Sequence, residues 1–390
     1  MSESTFLKKL LDLSAEQAGG AKVEWVALGE VGQPKRGKRL VRSQLKDSGR
    51  HAVYQNSMKP LGYYEKSNVA ANSAFIICAG AAGEIGYSNE AFWAADDVYY
   101  FEGNEVLNNK FLYHFLLTQQ FKISSRVRRA SIPRLSKSSF DKIEIPIPCP
   151  DNPEKSLAIQ AEIVRILDTF TELTTELTTE LTARTKQYNY YRDQLLTFEE
   201  GEVEWKTLGK LAENLDSKRK PITSGLREPG EIPYYGASGI VDYVKGFIFD
   251  GDYLLVSEDG ANLIARSTPI AFSIYGKSWV NNHAHVLAFE AYAERKYVEY
   301  YLNNIDLTPY ISGAAQPKLN KKNLNSISIP NPSFEEKKRI VAILDKFDTL
   351  THSISEGLPR EIELRQKQYE YYRDLLLNFP KPEHPTEMVA

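Results

Sequence analysis

The sequence predicts an α+β protein: two duplicated mixed α/β domains separated by a long antiparallel two-helix coiled coil, related by a pseudo-twofold axis. Three observations carry that prediction. The thirteen residues from Lys186 to Phe198, KQYNYYRDQLLTF, return from Lys367 to Phe379 as KQYEYYRDLLLNF, with ten positions identical at an offset of 181. Each copy ends a long stretch whose apolar residues keep coiled-coil spacing. Each such stretch follows a segment of short apolar runs broken by Gly, Asn and Ser, the signature of strands and turns. A repeat of half the chain sets the domain count before any single residue is weighed.

In chain order the reading is an N-terminal helix over 1–20, a first domain over 21–152 and a central helix over 153–200. A second domain follows over 201–332, then a second helix over 333–379 and a tail over 380–390. Phe6, Leu7, Leu10 and Leu11 make residues 4–18 a short amphipathic helix. Val23-Glu24-Trp25 with Leu28-Gly29 recurs as Val203-Glu204-Trp205 with Leu208-Gly209, and the second instance directly follows the duplicated helix end. The N-terminal helix therefore reads as a partial third copy detached by circular permutation, which predicts neighbouring termini.

Strands are expected at Ala74 to Ile77, Ile85 to Tyr87 and Val98 to Phe101, then a helix from Asn109 to Phe121. The second half repeats the order at Tyr253 to Val256, Ala271 to Ile274 and His285 to Phe289, with a helix from Arg295 to Asn303. Both domains close alike. Ile132-Pro133-Arg134-Leu135 with Ile145-Pro146-Ile147-Pro148 corresponds to Gln316-Pro317-Lys318-Leu319 with Ile329-Pro330-Asn331-Pro332 at an offset of 184. These prolines end a strand and release the chain into a helix.

The central helix is predicted from about Ser156 to Thr197. Ile159, Ile163, Ile166, Phe170, Leu173 and Leu177 alternate steps of four and three, and a stutter then falls inside the tetrad repeat TELT TELT TELT at Thr171 to Thr182. Its partner runs from Phe334 to Asn378 through Ile340, Ile343, Phe347, Leu350 and Ile354. Gly357 and Pro359 divide it into two pieces, with Pro359 in the first turn of the second. Two such stripes between globular domains are expected to cover each other.

Composition excludes several classes. At 390 residues with 42% hydrophobics and a quarter charged, the chain suits two globular domains. No apolar run reaches the ~18 residues of a membrane span, and the N-terminus lacks a signal peptide's apolar core, so a cytoplasmic location is expected. Cys78 and Cys149 have no ligand spacing and read as inert buried thiols. The net charge of −3 conceals an uneven distribution. Residues 31–145 hold 17 cationic against 10 acidic side chains, net +7, and residues 151–200 hold 5 against 10, net −5. Residues 211–330 come to −1, so positive charge there acts through local clusters.

Catalytic motifs are not evident. The six histidines form no metal-binding cluster, and His283-Ala284-His285 reads as structural. Asp96-Asp97 and Glu258-Asp259-Gly260 read as turns or solvated loops, although an acidic side chain accepts from cytosine N4 in the major groove. Asn331-Pro332-Ser333-Phe334 approximates the tetrad with which amino-methyltransferases grip an amine, but no Gly-rich cofactor loop precedes it and a helix entry is the better reading. Ala79-Gly80-Ala81-Ala82-Gly83 precedes a strand and makes a poor phosphate loop.

Binding chemistry remains. Lys35, Arg36, Lys38 and Arg39, with Gly37 permitting close backbone approach, and Arg126, Arg128, Arg129 and Arg134 form cationic clusters in the first domain. Lys218, Arg219, Lys220, Lys318, Lys321 and Lys322 sit at matching places in the second. Any one cluster is an ordinary solvated surface, but the matched set suits phosphate contacts that fix register on a DNA duplex. Gln55 and Asn56, and Tyr235 and Ser238, are polar tips suited to base edges, as is Gln316 in the closing motif.

These residues resemble the specificity subunit of type I restriction-modification systems over nearly the whole chain. The likeness rests on two variable domains, each followed by IVRILDTFTELT or IVAILDKFDTLT and then KQYxYYRDxLL, on the Gln316-Pro317-Lys318-Leu319 motif, and on the TELT tetrads, which look like spacer repeats. The first domain departs from that motif with Ile132 and Arg134. The resemblance implies that each target-recognition domain reads half of a split, asymmetric double-stranded DNA site, while the helices set the gap and dock two methyltransferase subunits. Restriction and translocase subunits would join that core. S-adenosylmethionine, ATP and Mg2+ would then be bound by partners, with no catalytic residue and no metal in this chain. Tyr188, Tyr190, Tyr191, Tyr369, Tyr371 and Tyr372 exceed what one seam buries and are docking candidates. A stand-alone DNA methyltransferase or nuclease would need a cofactor loop or carboxylate cluster, and a coiled-coil adaptor would show no salt-dependent DNA binding.

Overall fold

A computed structural model describes residues 22–313 and 316–381. The expected N-terminal helix and most of the tail, and with them the expected proximity of the termini, lie outside the described residues. The chain forms two compact units, Met1–Leu177 with Glu361–Ala390 and Thr178–Arg360.

In the first unit β1 (Val23–Ala27) leads through α1 (Leu28–Val31) to β2 (Lys35–Arg36), β3 (His51–Tyr54), β4 (Gly62–Tyr64), β5 (Ser73–Ile77), β6 (Ile85–Ser88), β7 (Trp93–Ala94) and β8 (Val98–Tyr100). Then come α2 (Asn109–Thr118), α3 (Gln120–Ser124), α4 (Ser138–Asp141) and β9 (Glu144–Pro148). One sheet has the order β2-β8-β5-β6, and a second the order β4-β3-β7. All five residues of β5 are buried, as its unbroken apolar run requires of a strand covered on both faces. β1 and β9 form a separate antiparallel ribbon, Val23 facing Pro148 and Ala27 facing Glu144. Pro146 and Pro148 are tolerated because each strand of a two-stranded ribbon has a free edge that needs no N–H donor. The Asn108 side chain caps α2 by accepting from the amides of Lys110 and Phe111. The helix expected through Phe121 breaks at Gln119, whose amide is shared between the Leu116 and Leu117 carbonyls in a tight terminal turn.

α5 (Pro153–Leu196) is one uninterrupted 44-residue helix that passes from the first unit into the second. In its tetrads the Thr174, Thr175 and Thr182 hydroxyls donate to the carbonyls of Phe170, Thr171 and Thr178, one turn back. Its first third buries Ile163, Ile166 and Phe170 as expected, but also Val164 and Leu167. That stripe is wider than a coiled-coil seam because this part of the helix packs on a globular core.

The second unit repeats the plan. β10 (Glu204–Thr207) and α6 (Leu208–Leu211) precede β11 (Glu213–Asn214), β12 (Pro229–Gly236), β13 (Gly239–Val244), β14 (Phe249–Asp250) and β15 (Tyr253–Ser257). α7 (Asn262–Ala265), β16 (Ala271–Ile274), β17 (Lys277–Val280), β18 (Ala284–Ala288), α8 (Tyr292–Asn304), α9 (Lys321–Ser326) and β19 (Ser328–Asn331) follow. The sheets have the orders β11-β18-β15-β16 and β13-β12-β17-β14, and β10 pairs with β19. Ser333 caps α10 (Phe334–His352) by accepting from the Glu336 amide, with Glu335 and Glu336 in the first turn, so Asn331 to Phe334 is a helix entry. α11 (Gly357–Leu376) has Pro359 in its first turn. Gly357 takes φ +71°, and a Cβ there would lie 2.3 Å from the Thr349 carbonyl, which enforces the break. Ile354, expected on the seam, falls in the link and is 84% exposed.

Each unit borrows a helix end that is distant in sequence. In the first, Phe170 of α5 stacks on Tyr372 of α11 (centroids 5.2 Å, 21°), and Leu376, Leu377 and Phe379 join the core. In the second, Phe347 of α10 stacks on Tyr191 of α5 (5.7 Å, 27°), with Tyr188 and Leu196 buried beside Ile340, Val341 and Leu344. The duplicated sequences meet in duplicated contacts. Leu344 is fully buried, so Leu344→Ala is expected to cost about 2–5 kcal/mol of stability, read as a lower denaturant midpoint for the second unit.

Candidate nucleic-acid interface

Both units build the same backbone frame at the end of their central strand. In the first, the Cys78 amide donates to the Asp97 carbonyl, Leu135 to Cys78 and Gly80 to Pro133. In the second, Glu258 donates to His283, Leu319 to Glu258 and Gly260 to Pro317. A backbone bridge precedes each closing leucine, Arg128 with Arg134 and Ser312 with Lys318. The repeated closing motif therefore ties a surface bridge to the central strand, with proline supplying a carbonyl acceptor where it has no N–H to place. Gly80 and Gly260 turn at φ +76° and +104°.

Cations decorate this frame unevenly. Lys38, Arg39, Arg128, Arg129 and Arg134 are exposed in the first unit, as are Lys218, Lys220, Lys321 and Lys322 in the second, and no side-chain partner engages them among the described residues. Lys35 pairs with Glu102, Arg36 donates to the Asp96 carbonyl, and Arg126 donates to the Ser139 carbonyl. Gly37 has an internal reason: a Cβ there would lie 2.1 Å from the Ala95 carbonyl. Close approach there is to the protein's own backbone.

Arg219 is a correction to the expected set of phosphate contacts. Its guanidinium is mostly buried, bonding to Glu258 (2.6 Å) and the Ala284 carbonyl (2.8 Å), with Asp216 at 3.4 Å. A guanidinium held by two carboxylates has little left for a phosphate, so it braces the fold. His285, fully buried, faces acceptors on both sides: Asp216 Oδ2 at 2.6 Å from Nδ1 and the Leu319 carbonyl at 2.7 Å from Nε2. The ring bridges the Asp216 carboxylate and the Leu319 carbonyl and so clamps the closing motif to β18. Lys318 reaches Glu258 at 3.1 Å. Asp216, Glu258 and His285 offer clustered ligand atoms, but these already face Arg219, Lys318 and each other. The cluster is a closed charge network.

Burial raises the Asp216 and Glu258 carboxyls, but His285 and Arg219 more than offset it and both settle below their ordinary values. A depressed folded value gives stability that is full above the unfolded pKa and lost as pH falls through the folded one. The second unit is therefore expected to weaken as pH drops below about 4, with a flatter acid limb in Asp216→Asn, as followed by circular dichroism against pH.

The tyrosines divide sharply. Tyr188 is buried between Phe347 and His352, and Tyr369 bonds to His114 (2.8 Å), so both pack inside their units. Burial holds His114 below its ordinary value, and its ring lies between the Tyr369 hydroxyl at Nδ1 and Asp168 at Nε2. Tyr191 and Tyr372 lie in the stacks. Tyr190 and Tyr371 remain 62% and 65% exposed. Tyr235 is half-buried against Phe272, whereas Asn56, Ser238 and Gln316 are exposed and Gln55 partly so. Burial pushes the Cys78 thiol up to about 12, leaving it unreactive.

The sequence reading missed a groove of 390 Å³ in the first unit, in which Arg39, Leu40, Val41 and Arg42 face Gln55, Asn56 and Leu61. It also missed the pair Asp259 and His283, 2.9 Å apart. Its only sequence signals were the end of the basic run and the free polar tip.

Residues 21–187 and 200–364 each match the family described as the type I restriction modification DNA specificity domain. The chain belongs to this family. It is similar to the specificity subunit of the type I restriction enzyme EcoR124I/EcoR124II of Escherichia coli, 37% identical over 98% of this chain and 99% of that one. A putative type I specificity subunit of Haemophilus influenzae, S.HindORF215P, is 34% identical over 96% and 98%. Among solved structures, the type I S subunit from M. genitalium shares the fold, with TM-score 0.66 at 19% identity over 93% of this chain and 97% of that one. As a specificity-domain protein, the chain carries the family's two domains on the two frames described above.

Proposed function

We propose that this chain is the sequence-reading subunit of a type I restriction-modification complex, each unit recognising one half of a bipartite, asymmetric DNA site. The observation that carries this is the presence in both units of exposed cations with no side-chain partner among the described residues, beside a duplicated frame, in a chain whose two halves both match a DNA-specificity family. Cations on a rigid frame fix the protein on phosphates, and side chains between them read bases.

In this reading α5, α10 and α11 set the unread gap and dock two methyltransferase subunits, with Tyr190 and Tyr371 as docking residues because they are exposed and leave no core contact unmade. The chain itself is non-catalytic. S-adenosylmethionine, ATP and Mg2+ belong to the methyltransferase and to the restriction and translocase subunits, which act on DNA in the cytoplasm. Among the described residues no helix is long and apolar enough to cross a membrane. The target base is flipped into a partner's active site, since a stacked base is inaccessible to methyl transfer.

The test is methylome sequencing of cells expressing the chain with its methyltransferase partner. A single split motif with two constant halves and a fixed gap is expected. Methylation at a continuous motif, or none beyond that of the partner alone, would refute the assignment.

A further inference from the structure

We infer that the groove between Arg39–Arg42 and Gln55–Asn56 is the base-reading site of the first unit, with the carboxamides of Gln55 and Asn56 each taking the major-groove edge of one adenine. The inference rests on the DNA-reading role proposed above and assigns the bases to particular side chains.

Four observations converge there. The Gln55 and Asn56 amides have no side-chain partner among the described residues, nor have the guanidinium groups of Arg39 and Arg42 across the groove. Unspent amides beside unspent cations suit a surface that pairs with something else. The apolar members Val41 and Leu61 are 53% and 41% exposed, which costs free energy unless a ligand covers them. The backbone under the amides is fixed: the Asn56 carbonyl accepts from Ala81 (2.9 Å), and Gly80 approaches so closely that a Cβ would lie 2.7 Å from that carbonyl. A reading side chain needs such a rigid base.

The duplicated frame supplies the fourth observation. The Tyr54 carbonyl accepts from Ala95 as the Tyr235 carbonyl accepts from Asn281, and β3 pairs with β7 in parallel as β12 does with β17. Gln55 and Asn56 therefore correspond to Gly236 and Ala237, which carry no amide. Where the scaffold repeats, the polar chemistry does not, and positions that differ on a shared frame are those that distinguish two half-sites.

The ligand follows from the chemistry. A carboxamide presents one donor and one acceptor side by side, the complement of adenine N7 and N6. Val41 and Leu61 at the rim suit the methyl group of the paired thymine. Arg39 and Arg42 flank the site as phosphate contacts.

The experiment uses the chain assembled with its methyltransferase partner, selecting bound duplexes from a randomised pool so that no turnover is needed. In Gln55→Ala and Asn56→Ala, preference at one A·T position of the first unit's half-site is expected to fall about tenfold to a hundredfold, with the other half-site and the gap unchanged. Asn56→Asp keeps the size but removes the donor, and should move that preference from adenine toward cytosine. Arg42→Ala should give the opposite signature: unaltered sequence and a shallower salt dependence. An unaltered first half-site in the Ala and Asp variants would overturn the assignment, as would equal weakening on every sequence. If the wild-type assembly enriched no sequence at all, the DNA-reading role itself would fail instead.

Discussion

Deleting Thr175–Thr178 is expected to shorten the unread gap between half-sites by one or two base pairs while both half-sites stay as they were. The deletion removes one of three identical tetrads, so the remaining TELT units rejoin without a new junction. It falls where α5 passes from the first unit to the second, at Leu177 and Thr178, and so shortens the helix that joins them. Four residues are about 6 Å of helix and about 400° of turn, or roughly 40° past a full revolution. DNA advances about 3.4 Å and roughly 34° per base pair, so the translation corresponds to between one and two base pairs and the residual rotation to about one. Methylome sequencing of the deletion variant reads gap and half-sites together. An altered half-site with the original gap would remove the ruler role from the tetrads.

Replacing Lys38, Arg39, Arg128 and Arg129 together by glutamine should have the other large effect. All four are exposed and without a side-chain partner among the described residues, so the fold loses no ion pair. Each phosphate contact contributes about 0.9 to the slope of log affinity against log salt. Four lost contacts lower that slope by about 3.6, equivalent to roughly 3.6 orders of magnitude in affinity near 0.1 M salt. Fluorescence anisotropy over a salt series measures both quantities. An unchanged slope would place the DNA elsewhere on the first unit. Replacing Arg219 instead should leave the slope nearly intact and lower stability, because it strands Asp216 and Glu258.

Much of this protein is legible in sequence, because repetition and periodicity are one-dimensional signals. The KQYxYYRD duplication, the seam through Ile163, Ile166 and Phe170, the break at Gly357 and the closing prolines each reflect spacing along the chain. The central strands were legible for the same reason: β5 and β15 are apolar runs too short for helices and too continuous for surface strands, whereas their pairing was not. Illegible features depend on which residues from distant segments meet. Nothing in Ser217-Lys218-Arg219-Lys220 distinguishes the middle cation, yet it alone turns inward, toward acids 39 residues away and nearer. The expected seam placed Ile354 in contact, whereas the first helix ends at His352 and Ile354 falls in the link before Gly357 starts the second.

The sequence by itself determined the duplication, the mixed α/β units, the long helix and the family, since each is written in residue order and spacing. Only the tertiary structure decided which cations are free, which tyrosines are packed, and that Gln55 and Asn56 face Arg39 and Arg42 across a groove. The physical reason is that a side chain's availability depends on partners brought to it from elsewhere in the chain, and a hydrogen bond or ion pair already made within the fold is not available to a ligand.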